Sequence, residues 1–100
     1  MQTTLTRFHL GQVVATPGAL EAFAATGEQP STFLNRHQQG DWGDLDDEDK
    51  KLNDEAVAHE GEPDKQARVL SSYRLKNNVK IWVISEWDRS VTTILLPEDY

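Results

Sequence analysis

Arg68-Val-Leu-Ser-Ser-Tyr-Arg-Leu-Lys-Asn-Asn-Val-Lys-Ile-Trp-Val-Ile-Ser-Glu86 decides the fold class. Two runs rich in β-branched and aromatic residues flank Asn77-Asn78, a pair that tolerates the positive φ angles of a tight hairpin turn. A second turn over Trp87-Asp-Arg-Ser90 returns the chain as Val91-Thr-Thr-Ile-Leu-Leu96, so the C-terminal third reads as an antiparallel meander. Register stays open, because a one-residue slip at Asn77-Asn78 exchanges the face that carries Ser71 and Tyr73.

Upstream of residue 65 the apolar period is helical. Thr16-Pro17 supplies a capping hydroxyl and a proline at the first helical position, Leu20, Phe23 and Ala24 make an apolar face, and Gly27 stops the helix. A second helix starts at Pro30, carries Phe33, Leu34 and His37 on one side and ends at Gly40. A third starts at Asp46 or Asp47, with acids in its first turn that suit the helix dipole, and ends before Gly61 and Pro63. Its apolar positions, Leu45, Leu52, Ala56 and Val57, are few, which predicts shallow packing with most of its acids in water. Phe8–Ala15 has strand composition weakened by Gly11. The expectation is an α+β fold, one domain over 1–100, with short N-terminal helices packed on a C-terminal three- to four-stranded antiparallel meander.

Charge is concentrated in the middle of the chain. The whole carries −7, yet residues 41–64 hold eleven carboxylates against Lys50 and Lys51, net −9, and the rest is +2. This balance argues against direct DNA or RNA binding, which draws on a surplus of Lys and Arg. With no cysteine, disulfides, thiolate metal sites and cysteine nucleophiles are excluded. Apolar runs of four or five residues are too short to span a membrane, and Met1–Arg7 lacks a signal-peptide core, so a cytoplasmic chain is expected.

The acidic segment admits three readings. A calcium loop from Asp44 would place Asp46, Glu48 and Glu55 as ligands, but Asp49 stands where the sharp turn needs glycine. A solvated face that keeps a small domain soluble is the plain reading. The functional one is a partner-binding surface of Trp42, Asp44, Asp46, Asp47, Glu48, Asp49 and Glu55, whose carboxylates engage a basic protein. His37, at a helix end, reads either as an acid–base group or as a protonated histidine favoured by the helix dipole. Near the C-terminus, Glu86, Arg89 and Thr92 could join His37 as base, phosphate binder and hydroxyl donor of a metal-independent nuclease. The structural alternative has Asp88 and Ser90 making a turn, pairs Arg89 with Glu86, puts Thr92 and Thr93 on a solvated strand face, and uses Trp82 and Trp87 as core and turn anchors. No metal-ligand spacing links His9, His37 and His59, and no cofactor is expected.

Phe33-Leu-Asn-Arg-His-Gln-Gln-Gly-Asp-Trp-Gly-Asp-Leu45, Leu70-Ser-Ser-Tyr73 and Ile81-Trp-Val-Ile-Ser-Glu-Trp-Asp-Arg-Ser-Val-Thr-Thr-Ile-Leu-Leu-Pro-Glu-Asp-Tyr100 resemble the motifs of a widespread family of short bacterial plasmid-related proteins. Ser85, Trp87 and residues 46–66 depart from that pattern. The resemblance implies a mobile-element context, in which small acidic proteins include inhibitors of host defence. The leading expectation is therefore a non-enzymatic binder of a basic protein, such as an inhibitor or a regulator. The alternative is a small RNase-like domain of the barnase–EndoU–RelE class. A homo-oligomer formed through the exposed hairpin edge is a third option.

Overall fold

Alternation along the hairpin places Val69, Ser71 and Tyr73 on one face of the sheet with Ile81, Val83 and Ser85, and all six are buried. The computed structural model describes residues 6–100. Its elements run β1 (Gln12–Ala15), α1 (Pro17–Thr26), α2 (Pro30–Gln38), α3 (Asp47–Ala58), β2 (Val69–Arg74), β3 (Lys80–Ser85) and β4 (Val91–Leu95), closed by a 3-10 turn over Pro97–Asp99. The sheet order is β1-β4-β3-β2.

The hairpin register is set by a loop one residue longer than the Asn-Asn pair alone. Leu75 N–H donates to Val79 O, Asn78 N–H donates to Leu75 O, and Asn78 takes φ 68°. Ser71 therefore opposes Val83, and Tyr73 opposes Ile81. Phe23, Phe33, Tyr73, Ile81, Val83 and Ile94 form the main core, with Ala19 of α1 pressed against it. A second cluster gathers Phe8, Trp42, Ala56 and Val69.

The expected all-antiparallel meander is corrected at its edge. β1 precedes the helices and pairs in parallel with β4, Gln12 opposite Val91 and Ala15 opposite Ile94, so the sheet is mixed. Gly11 permits this approach: at φ +65° a Cβ would lie 2.3 Å from Arg89 O, which only glycine avoids. Phe8 enters the second cluster rather than a strand.

The helix faces also differ in detail. In α1 the buried positions are Ala19 and Phe23, one turn apart, while Leu20 is exposed. In α3 they are Asn53 and Ala56, and Leu52 is 59% exposed. Asn53 is inside because it serves the edge of β2: its Nδ2–H donates to Leu70 O at 2.7 Å, and its Oδ1 accepts from Leu70 N–H at 3.2 Å. Two residues further on, Ser72 N–H donates to Trp42 O and Ser72 O accepts from Asp44 N–H. Gly43 allows that contact, since a Cβ there would fall on the Ser72 carbonyl oxygen. The hairpin edge expected to be exposed is thus closed, and the end strand at the other side is β1.

Replacing Asn53 with alanine strands a backbone N–H and C=O at a mostly buried edge. Urea unfolding should show a loss of about 2 kcal/mol, the cost of leaving buried polar groups unpaired. The neighbouring exposed substitution Lys51→Ala should change stability by less than about 0.5 kcal/mol.

Candidate functional site

Two polar features stand out against this frame, one sealed inside and one facing solvent. The inner one is centred on His37, which α2 drives onto the sheet with no exposed surface. Its Nδ1 meets Ser71 Oγ at 2.5 Å, and its Nε2 meets Ser85 Oγ at 3.0 Å. Ser85 Oγ contacts Thr92 Oγ1 at 2.6 Å, and Thr92 Oγ1–H donates to Leu10 O at 2.7 Å.

The carbonyl at the end of this chain fixes every proton in it. Thr92 has one hydroxyl hydrogen and spends it on Leu10 O, so Ser85 donates to Thr92. Ser85 Oγ then accepts from His37 Nε2–H, which leaves Nδ1 bare to accept from Ser71. Burial, with a smaller contribution from the nearby Arg89 charge, pushes the His37 pKa down to about 3. His37 is accordingly a neutral core histidine. The reading of a protonated side chain favoured by the helix dipole is corrected, because desolvation outweighs the dipole here.

The other residues of the nuclease alternative do not join His37 in an open cleft. Thr92, expected on a solvated strand face, is instead fully buried, because its hydroxyl is committed to the row. Arg89, 7% exposed, takes φ 60° at the turn and holds Glu60 through Nε and Nη2, the latter at 2.9 Å. Its Nη1 donates to Ala67 O and Glu86 O, and its guanidinium lies 5.3 Å from the Phe8 ring centroid. The expected Arg89–Glu86 side-chain pair is replaced by Arg89–Glu60. The Glu86 side chain lines a depression with Ile84, Thr93 and Leu95 on the opposite face of the sheet. Trp87, expected as a turn anchor, is exposed, while Trp82 is half-buried on that same outer face.

The solvent-facing feature is the acidic segment, and the structure divides it in two. Asp41 accepts from Arg36 Nε at 2.7 Å, Asp44 pairs with Arg74 at 3.2 Å, and Asp54 accepts from Trp42 Nε1 at 2.9 Å. Glu60 holds Arg89, and Glu62 meets His59 and Lys65. The Arg36 hydrogen bond keeps Asp41 below the usual carboxylate range. Asp41, Asp44, Asp54 and Glu60 hold the segment to the scaffold, while Glu62 is paired locally.

Asp46, Asp47, Glu48, Asp49 and Glu55 make no side-chain ion pair among the described residues, and they crowd onto the first two and a half turns of α3. Asp46 caps that helix by accepting from Asp49 N–H at 2.8 Å. The partner-binding set is thereby trimmed. Trp42 is buried at 3% exposure, stacked on Phe8, and cannot be a contact residue, while the Asp44 carboxylate is paired. Among the described residues no three His, Asp or Glu side chains converge as a metal ion would require. Calcium ligation by Asp44, Asp46, Glu48 and Glu55 finds no geometric counterpart, because the helix starts before the loop could close.

Beside the free acids lies a groove of about 400 Å³ between α3 and the outer face of the sheet. Leu45, Leu52, Leu70, Trp82, Ile84 and Tyr100 form its apolar walls, and Asp49 stands at its rim. The sequence signals for it were the exposed Leu52 within an acidic helix and the apolar residues at even positions of the hairpin. They became a site only once α3 had been placed against β2.

No family model matches the chain, and comparison with curated proteins and with solved structures finds no match. The functional reading therefore rests on the geometry.

The neutral His37 carries a stability consequence. Its pKa in the folded chain lies far below the ordinary value of 6.5, so below pH 6.5 the unfolded chain takes up a proton that the folded chain refuses. Stability is lost as pH falls from 6.5 toward 3, by about 2 kcal/mol between pH 7 and pH 5. Urea unfolding at the two pH values should show this slope in the wild type. A His37→Gln variant, less stable at pH 7, should lose it.

Proposed function

We propose that this chain is a non-enzymatic, cytoplasmic binding protein that engages a basic protein partner through the outward face of α3. One observation carries the reading. Of the six acids of the middle segment that make no ion pair among the described residues, all but Asp64 lie on or cap one short helix: Asp46 at its cap and Asp47, Glu48, Asp49 and Glu55 within it. A scaffold-only role accounts for the paired acids and leaves the α3 group without a purpose beyond solvation. Clustered carboxylates on a rigid helix raise the local potential, speed encounter with a basic surface and disfavour acidic partners.

The helix is rigid where it matters. Its cap, its acidic first turn and the Asn53 clamp on Leu70 hold the start and middle of α3 in place, so the charges are presented without an ordering cost at binding. Among the described residues no helix is long and apolar enough to cross a membrane, which fits a protein that meets its partner in solution. The resemblance to plasmid-related proteins adds a context in which inhibition of a host defence protein, or its regulation, would be the use of such binding.

The test is capture from a bacterial cytoplasmic extract, followed by titration of the recovered partner. Screening shortens the reach of these charges from about 10 Å at 0.1 M salt to about 3 Å at 1 M. The dissociation constant should rise at least tenfold between 0.05 M and 0.5 M salt. It should rise similarly when Asp47, Glu48 and Glu55 are replaced by lysine, with Asp46 retained to cap the helix. Binding indifferent to both changes overturns the proposal.

A further inference from the structure

We propose that the groove beside α3 seats the apolar side of a basic amphipathic helix supplied by the partner, an inference that rests on the acidic-face reading above and gives its partner a shape. The groove is lined mainly by apolar side chains, with Asp49, Asn53 and Arg68 as its polar members, and its Leu52 is 59% exposed. Covering a residue of that size on a largely polar helix removes apolar surface from water and favours association.

The state of the neighbouring sheet edge decides the form of the occupant. An extended segment would dock by adding to β2, but the outward backbone groups of Leu70 are held by Asn53 and those of Ser72 by Trp42 and Asp44. The groove therefore offers no free ladder. Any chain entering it must bring its backbone hydrogen bonds already made, and a helix does so. Side chains at i, i+3 and i+4 would enter the trough while the opposite side of the helix stays in water.

The charge of the occupant follows from the rim. Asp49 lies on the α3 wall, with Asp47 and Glu48 in the same first turn and Asp46 at its cap. Glu86 lies beyond Ile84 at the far end, where the trough continues across the outer face toward Leu95. The cation at this rim is Arg68, placed 5.5 Å from the Tyr100 ring centroid. Tyr100 in turn sits edge-on to Trp82, their centroids 5.9 Å apart. A helix with Lys or Arg flanking an apolar stripe meets carboxylates at both ends of the trough. An acidic or neutral helix would gain the apolar contact and lose the electrostatic one.

The probe is a synthetic fourteen-residue peptide of leucine and lysine with the two residue types segregated on opposite helix faces. Its control has the same composition in an order that gives no apolar face. Both are titrated against the full chain carrying Trp87→Phe, so that half-buried Trp82 is the indole open to change and Trp42 stays buried. The segregated peptide should bind at least tenfold tighter than the control and shift the Trp82 emission. Leu52→Ser, at an exposed position that leaves the fold intact, should weaken it at least fivefold. Equal, salt-sensitive binding of both peptides overturns the groove inference and leaves the acidic face standing. Absence of binding by either peptide at 0.05 M salt overturns both. Tighter binding of the segregated peptide that ignores Leu52→Ser and leaves Trp82 unchanged places the helix elsewhere and overturns the inference. Self-association of the chain that Leu52→Ser abolishes assigns the groove to a second copy, and also overturns it.

Discussion

The hydrogen-bonded row from Ser71 through His37, Ser85 and Thr92 to the Leu10 carbonyl ties together pieces of the chain that are far apart in sequence. It joins α2 to β2, β3 and β4 and reaches the segment before β1. Five polar groups in an apolar interior would each be costly alone, and as a closed row they are satisfied without a net charge. The row is also directional, because one carbonyl at its end leaves a single arrangement of protons. A hairpin slipped by one residue would turn Ser71 to the opposite face from Ser85 and leave His37 Nδ1 buried with nothing to bind.

The row marks the boundary between the two hydrophobic clusters. Aromatic rings pack directly against it: Phe8 and Trp42 approach the His37 ring edge-on at 5.1 and 5.7 Å. Trp42 passes that position on to the surface, since its indole N–H holds Asp54 and its carbonyl holds Ser72. The outer placement of α3 thus depends on the inner row through Trp42 and on the sheet edge through Asn53. Arg89 performs a parallel task at the other end, where a positive-φ turn is held by one guanidinium bonded to Glu60, Ala67 and Glu86. The consequence for function is a division of labour among polar residues. Those that look chemical in the sequence hold the fold, and those that look merely solvating are left exposed on a fixed helix.

Much of the architecture was legible in local chemistry. Thr16-Pro17, Asp46 and the glycine at 27 act as helix signals because capping and left-handed conformations are settled within a few residues. The period-two runs of the hairpin give strands because alternation needs no distant partner to be recognised. The parallel edge escaped, since strand direction depends on which sheet edge β1 reaches after the rest has folded, and Gly11 alone signals only a close approach. Asn53 escaped for the same reason: its value lies in two backbone groups seventeen residues away.

By itself, the sequence determined that the chain is an α+β protein without cysteine chemistry, and that its acidity is confined to one segment of −9 beside a scaffold of +2. Those properties are sums over residues or over short windows, and they survive any arrangement of the elements. Only the tertiary structure decided which charges are free, because a carboxylate's partner is chosen by proximity in space. It also decided that His37 is neutral, since a pKa answers to burial and to the groups around the ring. The groove belongs to the second kind. Its walls come from α3 and Leu45 just before it, from β2 and β3, and from Tyr100, and no stretch of sequence contains it.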